Sequence, residues 1–164
     1  MDVDTILHAI YDWPISAAIR TEYFWFPFFE SIHVIAITLV VGSIFIVDLR
    51  LLGITSHRKP VTELAKEVLP WTWGLFVLAV IAGTLMFISK APSYYADEFF
   101  RYKMLFILLA GINMGVFHLF TFKSVEHWDR DVPTLMGAKI AGGLSMICWI
   151  VVVFCGRWIG FTVM

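Results

Sequence analysis

Two histidines stand where an ionisable side chain is least expected. His33 lies in a stretch without Asp, Glu, Lys or Arg, residues 31–47, and His118 lies in another, residues 104–122. An imidazole among apolar residues is either hydrogen-bonded across helices or gripped by something that needs its lone pair. Neutral imidazole is a ligand for haem iron and for transition metals. Other chemistry-bearing residues surround the pair. Lys103 immediately precedes the second stretch, and Glu30 sits one turn before His33, in reach of its ring. Arg157, in Gly-Arg-Trp, suits a haem propionate or a quinone headgroup, or simply reaches for the interface. At helical periodicity, positions 103, 107, 111, 114 and 118 share one stripe, so Lys103 and His118 face the same side of their helix. Asn113, Met114 and Met86 are further polar or soft candidates. His8, His57 and His127 fall in polar segments and read as solvated side chains, although His57 and His127 could fold back toward His118.

Other chemistries lack their residues. There is no CxxCH, HExxH, GxGxxG, phosphate-binding loop or Gly-x-Ser-x-Gly, so covalent haem attachment, zincin chemistry and nucleotide hydrolysis have no support. Cys148 and Cys155, on one helix and roughly 10 Å apart along it, are beyond disulfide reach and read as small apolar groups. A Met/Cys/His copper path is the alternative metal chemistry.

The elements that must position these residues follow from composition. Of 164 residues 60% are hydrophobic and only 15% charged, with a mean hydropathy of +0.82. A soluble domain is about half apolar and about a quarter charged, so the chain is an integral membrane protein. A net charge of −1 excludes a basic nucleic-acid binder. Charge-free windows at 31–47, 68–89, 104–122 and 140–156 approach the roughly 20 residues a helix needs to cross a bilayer. They predict one all-α domain over residues 1–164, an up-down-up-down four-helix bundle with spans near 28–52, 69–90, 99–123 and 135–158. Pro70 and Pro133 mark the starts of the second and fourth spans. Residues 1–27 lack the basic start of a signal peptide, and their aromatic run, Tyr23 to Phe29, predicts an interfacial helix. Residues 53–68 hold a short amphipathic turn carrying Val61, Leu64, Ala65 and Val68. Asp48 and Arg50 mark the end of the first span. Small-residue pairs, Ala79/Gly83, Gly111/Gly115, Ala138/Gly142 and Ala141/Ser145, predict close helix packing. Both termini share one face. Seven Lys and Arg lie on the opposite face against five on theirs, which places the termini on the external or periplasmic side.

His33 lies near the terminal face and His118 near the other, with depths differing by roughly 15–25 Å. Two histidine-centred sites fit this spacing better than one shared metal.

Several stretches together resemble a bacterial family of four-helix membrane proteins of unknown function: Pro14-Ile15-Ser16, Glu30-Ser31-Ile32-His33-Val34, Asp48-Leu49-Arg50-Leu51-Leu52-Gly53, Leu69-Pro70-Trp71-Thr72-Trp73, Phe117-His118, Trp128-Asp129-Arg130, Ala141-Gly142-Gly143 and Gly156-Arg157-Trp158. The resemblance covers almost the whole chain. Over the first and third spans, the early histidine, the glycine nine residues on, the Leu-Arg at the span's end and the lysine four turns before a histidine are similar to the haem-binding protoporphyrinogen oxidase and to b-type cytochrome membrane domains. That similarity implies a b-type haem with His33 and Lys103 as site residues.

The expected function is that of a membrane b-type haem protein, with one or two haems ligated by His33 and His118. Lys103, Glu30 and Arg157 would stand near the haem, and Phe106, Phe117, Trp149 and Phe154 could pack on the ring. Electrons would pass between quinol or a partner protein and an acceptor. The alternatives are a non-catalytic membrane anchor or subunit, and a copper-handling membrane protein; homo-oligomerisation is open.

Overall fold

A computed structural model describes residues 2–55, 59–129 and 132–163. Two short helices, α1 (Val3–Tyr11) and α2 (Pro14–Thr21), precede the long α3 (Trp25–Leu52) and α4 (Val61–Ser89). A short α5 (Ala91–Ala96) leads into α6 (Glu98–Val116), which continues as a π-helical turn (Phe117–Thr121) and a 3-10 turn (Phe122–His127) before α7 (Met136–Thr162). Four helical segments are long and apolar enough to cross a membrane: Trp25–Leu52, Val61–Ser89, Glu98–Val125 and Met136–Thr162. The fold is an all-α four-helix membrane bundle, with consecutive spans antiparallel.

Local chemistry sets the boundaries. Gly53, at φ 78°, ends α3 in a left-handed turn in which Gly53 N donates to Arg50 O and Ile54 N to Leu49 O. This is the paired-bond stop that favours glycine. Asp97 caps α6 by accepting from Phe100 N at 2.8 Å.

The second span departs from the expected limits. Pro70 lies inside α4 rather than at its start, and the amphipathic turn over 61–68 forms its first turns. The extension is held from outside. Asp129 accepts from Thr62 N at 2.9 Å and Thr62 Oγ1 at 2.6 Å, and its carbonyl accepts from Val61 N. This remote cap, rather than Pro70, marks the start of the helix. A proline within a helix leaves one carbonyl unpaired, which neighbouring groups and water near a span's end can satisfy.

Buried side chains form three tiers. At the terminal end Tyr94, Ile159 and Val163 pack with Phe87 and Phe100. Val40, Ala110, Cys148, Trp149 and Val152 fill the middle, and Leu51, Val61, Phe117, Trp128 and Ala138 fill the loop end. Each end is tied by an arginine. Arg20 donates to the carbonyls of Tyr11 and Ser89, both at 3.1 Å, and stacks on the Tyr11 ring. Arg50, only 1% exposed, donates to Lys59 O at 3.0 Å, Asp129 O at 2.9 Å and Thr134 Oγ1 at 3.3 Å. The expectation that Arg50 marks a span's end is met, but it is a buried clamp on two loops.

The spans close unevenly. α3 packs on α4 and α7, and α6 packs on α7. Buried polar bonds join them: Ser43 to Thr72 at 2.8 Å, and Asn113 Nδ2 to Ala141 O at 2.9 Å. At Gly142 an added Cβ would come within 3.1 Å of Asp48 O, so the Ala138/Gly142 pair does permit the close approach of α7 to α3. α4 and α6 stack through Phe87 and Phe100 at the terminal end and leave a cleft of about 540 Å³ between them toward the loop end. Gly111 belongs to its walls, and Gly115 lines a smaller pocket beside it. A Cβ at either meets nothing within 4 Å, so they clear space rather than let helices approach, contrary to the packing role expected of them.

Candidate functional site

Polar side chains inside the bundle gather at two levels. The first lies near the terminal end. His33 on α3 directs Nδ1 at Ala79 O on α4, 2.8 Å away. A carbonyl only accepts, so Nδ1 carries the proton and Nε2 keeps its lone pair. Nε2 faces Lys103 Nζ on α6 at 3.5 Å. Two glycines make room. A Cβ on Gly83 would lie 2.9 Å from the His33 ring, and one on Gly156 would lie 3.5 Å from Lys103 Nζ. Ala79/Gly83 is thus a notch for an imidazole as well as a small-residue pair. Among the described residues Lys103 has no carboxylate partner; the only ion pair there joins Lys59 to Glu67 on the surface.

The second level is the cleft. Asp48, 4% exposed, lines it together with Ser145, and its buried Oδ2 has no hydrogen-bond partner among the described residues. Asn113, Thr72, Trp73 and Trp149 line the same space. His118 stands at its rim on the π-helical turn, its Nδ1 2.9 Å from Met114 O. Its proton is therefore fixed on Nδ1 as at His33, again leaving Nε2 open. Single π turns within helices recur at functional positions.

The two imidazoles do not share a site. His33 meets α4 at Ala79 and Gly83, whereas His118 shares a pocket with Leu69 and Trp73, levels separated by roughly 15 Å along α4. The structure brings His33 and Lys103 together and leaves His118 with the cleft. The common stripe on α6 is real for Ile107, Gly111, Met114 and His118, which all line the cleft.

Two expected neighbours are elsewhere. Glu30 is exposed and makes no bond to His33. Its charge acts on Tyr94 of α5, whose phenol is pushed up to about 12 by burial first and by Glu30 and Asp97 next. Three residues along a helix leave Glu30 off the His33 direction, so it turns out of the bundle. Arg157 is also exposed, lying over the Phe161 ring at 4.7 Å, while its neighbour Gly156 faces Lys103. Of the aromatics, Phe117 and Trp149 line the cleft, Phe106 packs in the middle tier and Phe154 stacks on Trp158 at the surface. His8 is exposed on α1; His57 and the side chain of His127 lie outside the described residues.

Asp48 and Ser145 were not expected in a site. Asp48 lies just beyond a charge-free window, and so reads as an end marker. The available signal was its position one turn from Ile44 and Leu51, on a face that must meet α7.

These features define a multi-pass, four-helix membrane protein with a nitrogen pair in one half and a carboxylate-floored cleft in the other. The chain belongs to a family of unknown function, DUF6644, whose model matches residues 20–162. No curated protein and no solved structure matches it.

Proposed function

We propose that this is a b-type haem protein of the bacterial inner membrane, with the haem held at His33 and Lys103 and the termini in the periplasm. It passes electrons between quinol or a partner protein and an acceptor. The observation that carries this reading is the contact of His33 Nε2 with Lys103 Nζ at 3.5 Å, with no carboxylate in salt-bridge reach of Lys103 among the described residues. A cation within the hydrocarbon is costly unless it is paired. Haem supplies both complements: an iron that takes a neutral imidazole, and propionates that take an ammonium.

The residues fit that group by their donor chemistry. The Ala79 carbonyl orients the imidazole, as partners of ligating histidines do. The missing side chain of Gly83 leaves room for the imidazole, and the flexible Lys103 chain would swing aside from Nε2 to let iron reach it. When bound, haem supplies reversible one-electron chemistry; the chain sets ligand, orientation and access to water. His118 offers the same tautomer at the cleft rim, which makes it the ligand of any second haem. No three His, Cys, Asp or Glu residues gather among the described residues, so a copper site would depend on methionine ligands.

The test is the absorption spectrum and metal content of purified protein. A Soret band with a reduced α-band, at one haem per chain and lost in His33→Ala, supports the proposal. Colourless protein with stoichiometric copper overturns it in favour of copper handling. Colourless, metal-free protein from cells supplied with haem overturns it in favour of an anchor subunit.

A further inference from the structure

The carboxyl of Asp48 presents an unsolved accounting problem. It is 4% exposed and lines the cleft, and its Oδ2 is buried with no hydrogen-bond partner among the described residues. A buried acceptor without a donor costs about 1–3 kcal/mol. Two residues along the chain Arg50 donates to the Lys59 and Asp129 carbonyls and to Thr134 Oγ1, whereas Asp48 Oδ2 has no donor among the described residues. The donor must come from whatever enters the cleft.

The cleft constrains that ligand. It is an opening between two spans whose outer faces are lipid-facing in character, so entry is lateral, from the membrane. Its walls are aromatic and apolar, with Trp73 on α4 and Trp149 on α7. Polar groups occupy two levels. Asp48 and Ser145 sit deep, at the level where Asn113 bonds Ala141 O. His118, with Nε2 open, stands at the rim roughly 7 Å further along α6. A matching molecule is flat and aromatic, carries a hydroxyl donor at one end and a second polar group opposite, and has an apolar tail. An acyl chain would fill the volume but would leave Oδ2 unpaired.

We infer that the cleft between α4 and α6 is a binding site for a membrane hydroquinone, with Asp48 Oδ2 accepting the hydrogen bond of one quinol hydroxyl and His118 Nε2 meeting the group at the other end of the ring. This rests on the proposed function only for the destination of the electrons; binding itself requires no haem. Ionised, the carboxylate accepts from a hydroxyl and has nothing to offer a quinone carbonyl, so at a pH where Asp48 is ionised the reduced form binds more tightly than the oxidised one.

The experiment is equilibrium binding of radiolabelled decylubiquinol and decylubiquinone to the full chain in phosphatidylcholine nanodiscs, with empty discs subtracted and haem content read on the same sample. Saturable binding is expected, with quinol favoured at least fivefold. Asp48→Leu removes the acceptor and is expected to weaken quinol binding at least tenfold and to erase the preference. Gly111→Leu starts a side chain in the cleft wall where a Cβ meets nothing within 4 Å, and is expected to weaken both forms while the chain still accumulates. Unsaturable uptake equal to that of empty discs overturns the inference, as does quinol binding unchanged in both variants. So does a second haem per chain that is lost in His118→Ala. Saturable binding to colourless protein supports the site and overturns the haem reading alone; red protein that binds no quinol does the reverse.

Discussion

The two halves of this bundle fail to satisfy their polar groups in opposite ways. Near the termini, the His33 imidazole and the Lys103 amino group face each other with no salt-bridge partner among the described residues. At the cleft, a buried carboxyl oxygen of Asp48 has no donor among the described residues. The first site is closed and notched by glycines; the second is open between two spans. Arg50 shows that the chain can bury a charge and satisfy it when the role is structural. The contrast between Asp48 and Arg50, only two residues apart, separates polar groups that hold the fold from those that await something the chain does not supply.

Breaking the satisfied group should therefore cost most. Arg50→Ala removes charged hydrogen bonds to three acceptors on two loops, and we expect a loss of about 3 kcal/mol or failure to accumulate. Unfolding titrations in mixed micelles measure it. A loss below about 1 kcal/mol would abolish the distinction between Arg50 and Asp48. Next is Gly83→Val. Its Cβ would lie 2.9 Å from the His33 ring, and overpacking of this kind costs about 2 kcal/mol. Because it pushes on the ring it should also deplete haem relative to protein, whereas the same change at Gly42, where a Cβ meets nothing within 4 Å, should leave haem content alone.

How much of this was legible beforehand depended on which interactions are local. The four spans followed from charge-free windows, because bilayer thickness alone dictates them. His33 and Lys103 were recognisable as candidates, since an ionisable group in such a window stands out. That they meet was carried by resemblance and depth, since contact across helices depends on rotation about each axis. The cleft was not legible. It exists because α4 and α6 diverge, and one-chain periodicity cannot distinguish a glycine that admits a helix (Gly142) from one that clears a cavity (Gly111). The start of α4 was misplaced for a similar reason: its cap comes from Asp129, far along the chain.

That remote cap yields a smaller effect. Asp129→Ala leaves Thr62 N and Oγ1 without their acceptor and should destabilise by about 1–2 kcal/mol. The first turns of α4 should lose hydrogen-exchange protection while the span beyond Pro70 keeps it. Uniform loss along α4 would mean that the amphipathic turn and the span are one cooperative unit. Asp48→Leu should have the opposite sign. Replacing an unpaired carboxyl with an apolar group of similar shape removes its burial cost, and Ser145 can turn its hydroxyl to its own helix carbonyls. A gain of about 1 kcal/mol together with lost quinol binding would mark Asp48 as kept for function at the expense of stability.

The smallest change is also the most diagnostic of the cleft. Gly111→Ala adds one methyl at a position where a Cβ touches nothing, and alanine is favoured over glycine in a helix by about 1 kcal/mol. If the cleft is a gap that the bundle merely tolerates, the variant should be more stable by up to that amount with no other consequence. If the cleft is a ligand site, the methyl intrudes on the ring plane between Trp73 and Trp149, and stability should rise while quinol affinity falls about threefold. Should stability fall instead, α4 and α6 must close on each other in the bilayer. Gly111 would then be a packing residue after all, and the two halves of the molecule would no longer differ in the way described.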